Sequence, residues 1–323
     1  MNKTQKKILV TGGSGFIGAA IIKKLVLEGH KVKCYDNNSR GSLRRLDSCI
    51  QNIEFIEGDI RDIDRLTKYS KKIDCMIHLA FINGTEFFYK FPDLILDVGV
   101  KGIMNVIDAC KKNEVSELIL ASSSEVYQYP KVIPTPENIS LVVPDVLNNR
   151  YSYGAGKIIS EVVAIHNKKF FNSVKIFRPH NVYGPDMGWE HVIPQFILKF
   201  LELIKKKKKN FILLGDGSQT RSFNFIDDFV KGFFHIFESS AKLDIFNIGT
   251  SKEINILNLA KKISKILKYE VEFFYSEKPK GETSRRCPDI SKIYSLGYKP
   301  SFNIDQGLEI TCDWYKNNLH LKK

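Results

Sequence analysis

An α/β protein built on a doubly wound parallel sheet is the fold class this chain predicts, and three observations predict it. Short β-rich runs alternate with amphipathic stretches through the first half of the chain. The β-rich runs are continuously apolar, as strands covered on both faces of a parallel sheet must be. A glycine-rich turn, Gly12-x-x-Gly15-x-x-Gly18, stands between the first such run and the first helical pattern.

In chain order, KKILVT (6–11) and HKVKCYD (30–36) read as strands, as do NIEFIEGD (52–59), DCMIHLA (74–80) and SELILAS (116–122). Helical patterns fall between them over 15–29, 61–70 and 93–113. A long helical pattern over 151–170 precedes the strand SVKIF (173–177). Turns then multiply, around Pro194, Pro279, Pro288 and Pro300. Strands near 211–214, 244–248 and 271–275 mix there with helices near 190–205, 226–238, 255–268 and 304–318. The expected division is a nucleotide-binding part over 1–180, with elements near 226–250 returning to it. A smaller mixed α/β part over 181–323 is expected to hold the substrate.

Bulk properties narrow the class. The 323 residues are 43% hydrophobic and 26% charged, enough for a sizeable core. No run approaches the roughly 18–20 continuous apolar residues of a membrane span. The apolar run in MNKTQKKILVTGG is too short for a signal-peptide core and reads as the first strand. Six cysteines without a C-x-x-C pair suit reduced thiols in a cytoplasm, not a disulfide framework or a metal site. The net charge of +13 is spread along the chain; its only dense run, Lys205–Lys209, reads as a solvated helix end. No nucleic-acid motif accompanies it, so neither a nucleic-acid nor a membrane partner is expected.

The turn ILVTGGSGFIG (8–18) carries the first chemistry. Glycines there permit the tight turn, let the backbone approach a pyrophosphate, and point a helix N-terminus at the anion. Asp36 answers the turn at the end of the second strand; an acid there hydrogen-bonds an adenosine ribose and disfavours a 2′-phosphate, so NAD is expected. Asp59 and Ile60 follow strand three, where an adenine edge would lie, although Asp59 serves equally as a helix cap. The second motif is Tyr153-Gly-Ala-Gly-Lys157, whose ends share one helix face. Tyrosine titrates near about 10, and a neighbouring ammonium and a cationic nicotinamide would favour tyrosinate.

GGSGFIG, Asp36, ASSSEVY (121–127) and Tyr153-x-x-x-Lys157 together resemble the extended short-chain dehydrogenase/reductase family, the nucleotide-sugar epimerases and dehydratases. The likeness covers nearly the whole chain. It includes Arg178-Pro-His-Asn-Val-Tyr-Gly-Pro185, Gly215-Asp-Gly-Ser-Gln-Thr-Arg-Ser-Phe223 with Asp227-Asp228, FNIGTSKEINILNLA (246–260), and Arg286-Cys-Pro-Asp-Ile-Ser-Lys292 before LGYKP. The resemblance implies a Rossmann sheet, NAD, a nucleotide-diphosphate sugar and, as is common in the family, a homodimer formed through two helices. It implies that Gly12, Gly15, Phe16, Ile17, Gly18, Asp36, Asp59, Ile60, Leu79, Ala80 and Pro179 meet the cofactor. Ser123 matches the hydroxyl that orients the sugar 4-hydroxyl, Tyr153 its base, and Lys157 the residue that holds the nicotinamide ribose and tunes the tyrosine. Asn181, Arg221 and Arg286 match positions that contact the diphosphate, where guanidinium forks suit phosphate oxygens. Arg285 is an alternative to Arg286, and Asn181 also reads as a loop cap. Ser122 reads as structural, and Tyr127 as a poorer base than Tyr153.

The chain departs from the family in places. Gly99 replaces the usual Asn of the fourth helix, Gln128 the usual Gly after Val-Tyr, and Phe81 the second Ala of the HLAA-like strand end. Phe81 and the segment NGTEFFY (83–89) fall near the expected sugar pocket.

Members of this family open alike, by oxidising C4 of the sugar. A 4-epimerase then needs no further acid or base, whereas a 4,6-dehydratase must remove the C5 proton and expel the C6 hydroxyl. Glu125 stands where the dehydratases place their carboxylate base, and Ser124 where their dTDP-glucose branch has an Asp acid; Ser-Glu resembles the GDP-mannose branch. Tyr183 to Pro194 resembles the dTDP-glucose dehydratases' loop in length and in its Glu-x-x-Ile-Pro ending. UDP-glucuronate decarboxylases also carry Ser-Glu here, but their Gly-Pro-Arg is Gly-Pro-Asp186 in this chain. A 4,6-dehydratase is the expected reaction, with 4-epimerase and decarboxylase as alternatives. A non-catalytic dinucleotide sensor is disfavoured, because both Tyr153 and Lys157 are present.

Overall fold

The structure, a computed structural model, describes residues 4–277 and 283–322. The first-half runs become strands β1 (Lys7–Thr11), β2 (Lys31–Asp36), β3 (Ile53–Glu57), β4 (Cys75–His78), β5 (Glu117–Ala121) and β6 (Ser173–Pro179). Helices α1 (Phe16–Leu27), α2 (Ile63–Tyr69), α3 (Thr85–Lys90), α4 (Pro92–Leu96), α5 (Gly102–Lys112) and α6 (Ser152–His166) lie between them. The second half supplies β7 (Val182–Tyr183), α7 (Val192–Lys206), β8 (Asn210–Leu214), β9 (Thr220–Arg221), β10 (Asn224–Phe225) and α8 (Ile226–Glu238). It continues with β11 (Leu243–Ile248), β12 (Ile254–Asn255), α9 (Ile256–Ile266), β13 (Glu272–Ser276), β14 (Arg285–Arg286), α10 (Ser291–Ser295) and α11 (Ile304–Asn317).

Seven parallel strands form the central sheet in the order β11-β6-β5-β4-β1-β2-β3. Alternate residues of each strand feed opposite layers. Ile8 and Val10 of β1 join Ile21 and Ile22 of α1 and Phe229 and Phe233 of α8 on one face. Leu9 joins Leu66 of α2, Ile103 and Val106 of α5 and Ala164 of α6 on the other. Burial on both sides explains why these strands read as unbroken apolar runs. Strand order reverses between β1 and β4, the switch point where doubly wound sheets open a crevice at the carboxyl ends of their strands.

The second half contributes β11 to this sheet and otherwise forms small sheets, β7 with β10, β8 with β13, and β12-β9-β14. Pro279, one of the turn prolines, lies outside the described residues.

The helix expected over 93–113 runs unbroken over 92–112 and is widened by a π-helical turn inside it. The structure has α4, then a π-helical turn over Asp97–Lys101, then α5. The widened turn contains Gly99, which passes directly against the Phe81 ring. NGTEFFY, expected only as an insertion, contributes most of α3.

Candidate active site

The carboxyl ends of β1, β4, β5 and β6 open onto a cleft of about 510 Å3. At the end of β1 the chain turns at Gly12, with φ of +71°; a Cβ there would lie 2.7 Å from the Ala80 nitrogen. A Cβ on Gly18 would lie 2.3 Å from the Gly12 carbonyl oxygen. Glycine at both positions lets α1 start close against β4's end. Gly15 is the N-cap of α1, with no side-chain cap and no acid in the first turn. That uncapped helix end, with Phe16 and Ile17, borders the cleft and suits a bound anion.

Asp36 ends β2 inside the same cleft, its carboxylate accepting the Ser14 N–H at 3.0 Å and the Asn38 N–H at 2.9 Å. Asp59, Ile60, Leu79 and Ala80 line the same cleft, and Pro179 lines it at the end of β6. The Asp59 side chain accepts from Arg61 and Asn37, and Arg61 holds its carboxyl below the usual range. The cap of α2 is Asp62, so that role does not fall to Asp59. A flat glycine turn, an open helix end and an acid closing β2 fit a dinucleotide.

The other end of the cleft gathers the hydroxyl and acid chemistry. Ser123 caps the turn over Ser124–Tyr127, its Oγ accepting the Glu125 N–H at 3.1 Å. The same hydroxyl hydrogen-bonds Tyr153 on α6, which is 5% exposed. Ser124 is buried and lines the cleft beside it. Lys157, one turn along α6, donates to the Ala121 carbonyl at 2.7 Å. Burial lowers the Lys157 ammonium to about 7 despite the opposing charge of Glu161. Tyr153 differs from the sequence expectation: burial raises its phenol, Ser123 pulls it back in part, and the Glu125 charge raises it further. Desolvation outweighs any help from the lysine.

Glu125 sits between two guanidiniums. Arg286 Nη1 donates to Oε1 at 2.6 Å, and Arg150 Nη2 reaches both oxygens, at 3.3 and 3.1 Å. Burial alone would raise the carboxyl, but Arg286 and Arg150 outweigh it and hold it at about 2. Glu125 is therefore a carboxylate at any physiological pH.

The remaining expected residues divide. Asn181, at φ +38°, lines the cleft and donates to the Ser222 carbonyl at 3.3 Å. Arg286 lines it too, while its neighbour Arg285 turns away to pair with Glu253 at 2.6 Å. Arg221 is not among the residues that line the cleft. It lies on β9, in register with Arg286 on β14, and its Nη1 donates to the Thr220 carbonyl at 2.8 Å. Ser122 bonds the Glu161 carboxylate, which Arg178 also grips at 2.8 and 2.6 Å in a fully buried pair. Tyr127 donates to Asn247 at 2.8 Å and accepts from Arg178 at 2.7 Å, outside the cleft lining.

Two residues of this site escaped the sequence reading. Arg150 carries no motif of its own, and its partner is 25 positions away. Phe88 stacks on Tyr153 with centroids 5.1 Å apart; its only signal was that NGTEFFY fell near the pocket. Asp186 now has a place: it pairs with Arg44 at 2.6 Å and Arg45 at 3.2 Å, tying the loop after β7 to the turn after β2.

Residues 8–249 match the NAD dependent epimerase/dehydratase family. The chain belongs to that family. It is 32% identical to a putative UDP-glucose 4-epimerase of Methanocaldococcus jannaschii, covering 96% of this chain and 99% of the relative. It is 30% identical to a dTDP-D-glucose 4,6-dehydratase of Bos taurus, covering 98% of this chain and 90% of the relative. Among solved structures it resembles a dTDP-glucose 4,6-dehydratase of Streptomyces venezuelae carrying NAD, with TM-score 0.87, 25% identity and 98% coverage of both chains. As a family member the protein is an NAD-dependent nucleotide-sugar enzyme of the epimerase/dehydratase kind, and its Rossmann sheet is the family's.

Proposed function

We propose that this family member is a nucleotide-diphosphate-hexose 4,6-dehydratase. The observation that carries the reading is Glu125, a carboxylate held ionised in the same cleft as Ser123, Tyr153 and Lys157. A 4-epimerase has no use for a second base there.

In this reading the Gly12–Gly18 turn and Asp36 would hold NAD, which would accept a hydride from C4 and return it to C6. Ser123 orients the sugar 4-hydroxyl and Tyr153 takes its proton, with Lys157 beneath. The C4 ketone acidifies C5, and Glu125 takes the C5 proton. That proton leaves with the C6 hydroxyl as water, passed on by Glu125 with Ser124 beside it; as the hydride reaches C6 the proton held by Tyr153 is returned to C5, so the steps balance. A base held at about 2 is weak. An anionic part of the substrate that drew Arg286 away would raise its basicity toward the ordinary carboxylate range. Asn181 and Arg286 are the proposed diphosphate contacts; Arg221 reaches it only if the substrate extends beyond the cleft lining.

A second reading, decarboxylation of a nucleotide-linked uronic acid, is favoured by one feature. Arg150 and Arg286 converge from two sides, as a pair that would also hold a substrate carboxylate. Incubation with dTDP-, GDP- and UDP-hexoses and UDP-glucuronate, read by mass spectrometry, decides. Loss of water from a hexose supports the dehydratase; loss of carbon dioxide supports the second reading. Unchanged mass with inverted C4 would refute both.

The proposal extends to a cytoplasmic homodimer of two-part chains, with the NAD part over 1–180 and the sugar part over 181–323. All six cysteines are buried free thiols, which suits a reducing compartment.

A further inference from the structure

Phe81 follows Ala80, whose backbone is fixed against Gly12, and its ring is wedged between two helices. A Cβ on Gly99, in the π-helical turn, would lie 2.2 Å from the Phe81 Cζ, and one on Gly156 of α6 would lie 3.0 Å from it. The ring therefore occupies the space that side chains at these two positions would fill. Its face meets Lys157, whose Nζ is 4.1 Å from the centroid. It also packs edge-to-face with the Tyr153 ring, centroids 5.1 Å apart and planes at 83°. An ammonium carries three donors. Among the described residues, that of Lys157 has one hydrogen-bond acceptor, the Ala121 carbonyl.

We propose that Phe81 is a positioning residue for the Tyr153–Lys157 pair, its ring face seating the ammonium and its edge-to-face packing fixing the tyrosine, with Gly99 making room for it. A cation within about 6 Å of a ring face is attracted by the ring quadrupole, the more so where water is excluded. An edge-to-face contact sets the tilt of the second ring. Phe81 and Gly99 are thus one coupled feature, since a side chain at 99 drives the ring off the lysine. The charged neighbour of the ammonium is Glu161 on α6, and the neutral His78 of β4 and Tyr153 are the adjoining titratable groups.

The inference rests on Tyr153 and Lys157 being the proton-handling pair, and its test reads the lysine itself instead of any product. A failed product assignment would leave the result standing. The full-length chain, labelled with 13Cε-lysine and kept in excess NAD, is titrated by NMR, with the Lys157 signal identified by its loss in Lys157→Met. The ring favours the charged form, so in Phe81→Leu the Lys157 midpoint is expected to fall by about half to one and a half pH units. Gly99→Ala, which keeps Phe81 but displaces it, is expected to shift the midpoint the same way. The double variant is expected to move no further than Phe81→Leu alone. Phe88→Leu, which changes the ring stacked on Tyr153, is expected to leave the Lys157 midpoint in place. An unchanged midpoint in Phe81→Leu overturns the proposal, and additive shifts in the double variant overturn the coupling. Thermal melts confirm folding; should Phe81→Leu not fold, Gly99→Ala decides, and an unchanged midpoint there overturns the proposal.

Discussion

A carboxylate between two arginines is a strong electrostatic arrangement, and the proposed chemistry turns on Glu125. Removing one partner of a buried pair leaves the other charge uncompensated, so conservative changes report best. Glu125→Gln is expected to lower water elimination at least about 100-fold, the range for loss of a general base. NAD binding, measured by fluorescence titration, should be unchanged because Glu125 lies at the opposite end of the cleft from the glycine turn. Arg150→Gln tests the electrostatics. Arg150 lowers the Glu125 pKa, so its loss raises that pKa. The acid limb of the kcat profile, below which Glu125 is protonated and inactive as a base, is expected to move to higher pH.

At the scale of elements, the turn between β1 and α1 has no freedom. Gly12→Ala would combine a positive φ with a Cβ 2.7 Å from the Ala80 backbone, costing about 1–3 kcal/mol from the strained dihedral alone. A lower melting temperature and weaker NAD binding are expected together. The neighbouring contact between β1 and β4 has a pH signature. Thr11 Oγ1 and His78 Nδ1 are 2.8 Å apart in the sheet interior. Burial lowers His78 to about 3 against an ordinary 6.5, and burial does the same to His180. Both stay neutral in the fold below pH 6.5, where the unfolded chain takes up protons. Stability is therefore fully present above about pH 6.5 and is lost progressively as pH falls toward 3. Melting temperatures between pH 8 and 4 should decline on that side. Gln128 shows how an element absorbs a departure from the family. Its φ is positive, at +47°, in the region that favours glycine, and its side chain donates back to the Glu125 carbonyl at 2.6 Å.

For the whole molecule, helices α5 and α6 pack together and leave Met104 45%, Ile159 38% and Val162 50% exposed. Apolar side chains on adjoining helices suit a helix-paired dimer. Light scattering is expected to give about 74 kDa, twice the 37.0 kDa chain. Val162→Glu should shift it toward the monomer without altering the fold by circular dichroism; a wild-type mass of one chain would remove the dimer from the proposal. The run Lys205–Lys209 closes α7 as exposed charge, and among the described residues no helix is long and apolar enough to cross a membrane.

The sequence by itself determined the parallel sheet, the glycine turn that opens α1 and the placing of Tyr153 and Lys157 on one helix face. Each is a local pattern: apolar runs of five or six residues, glycines three apart, and two side chains one helical turn apart. Backbone geometry converts such spacings directly into position. Only the tertiary structure decided what surrounds them. It put Arg286, and not Arg285, on the cleft lining, gave the helix cap to Asp62, left Arg221 out of that lining and widened one expected helix at Gly99. It also joined Glu125 to Arg150 and Arg286 across 25 and 161 positions, and set Phe81 against Gly99 and Lys157. Such partners meet because helices, turns and the small β12-β9-β14 sheet converge on the carboxyl edge of the central sheet, and no periodicity along the chain records that meeting.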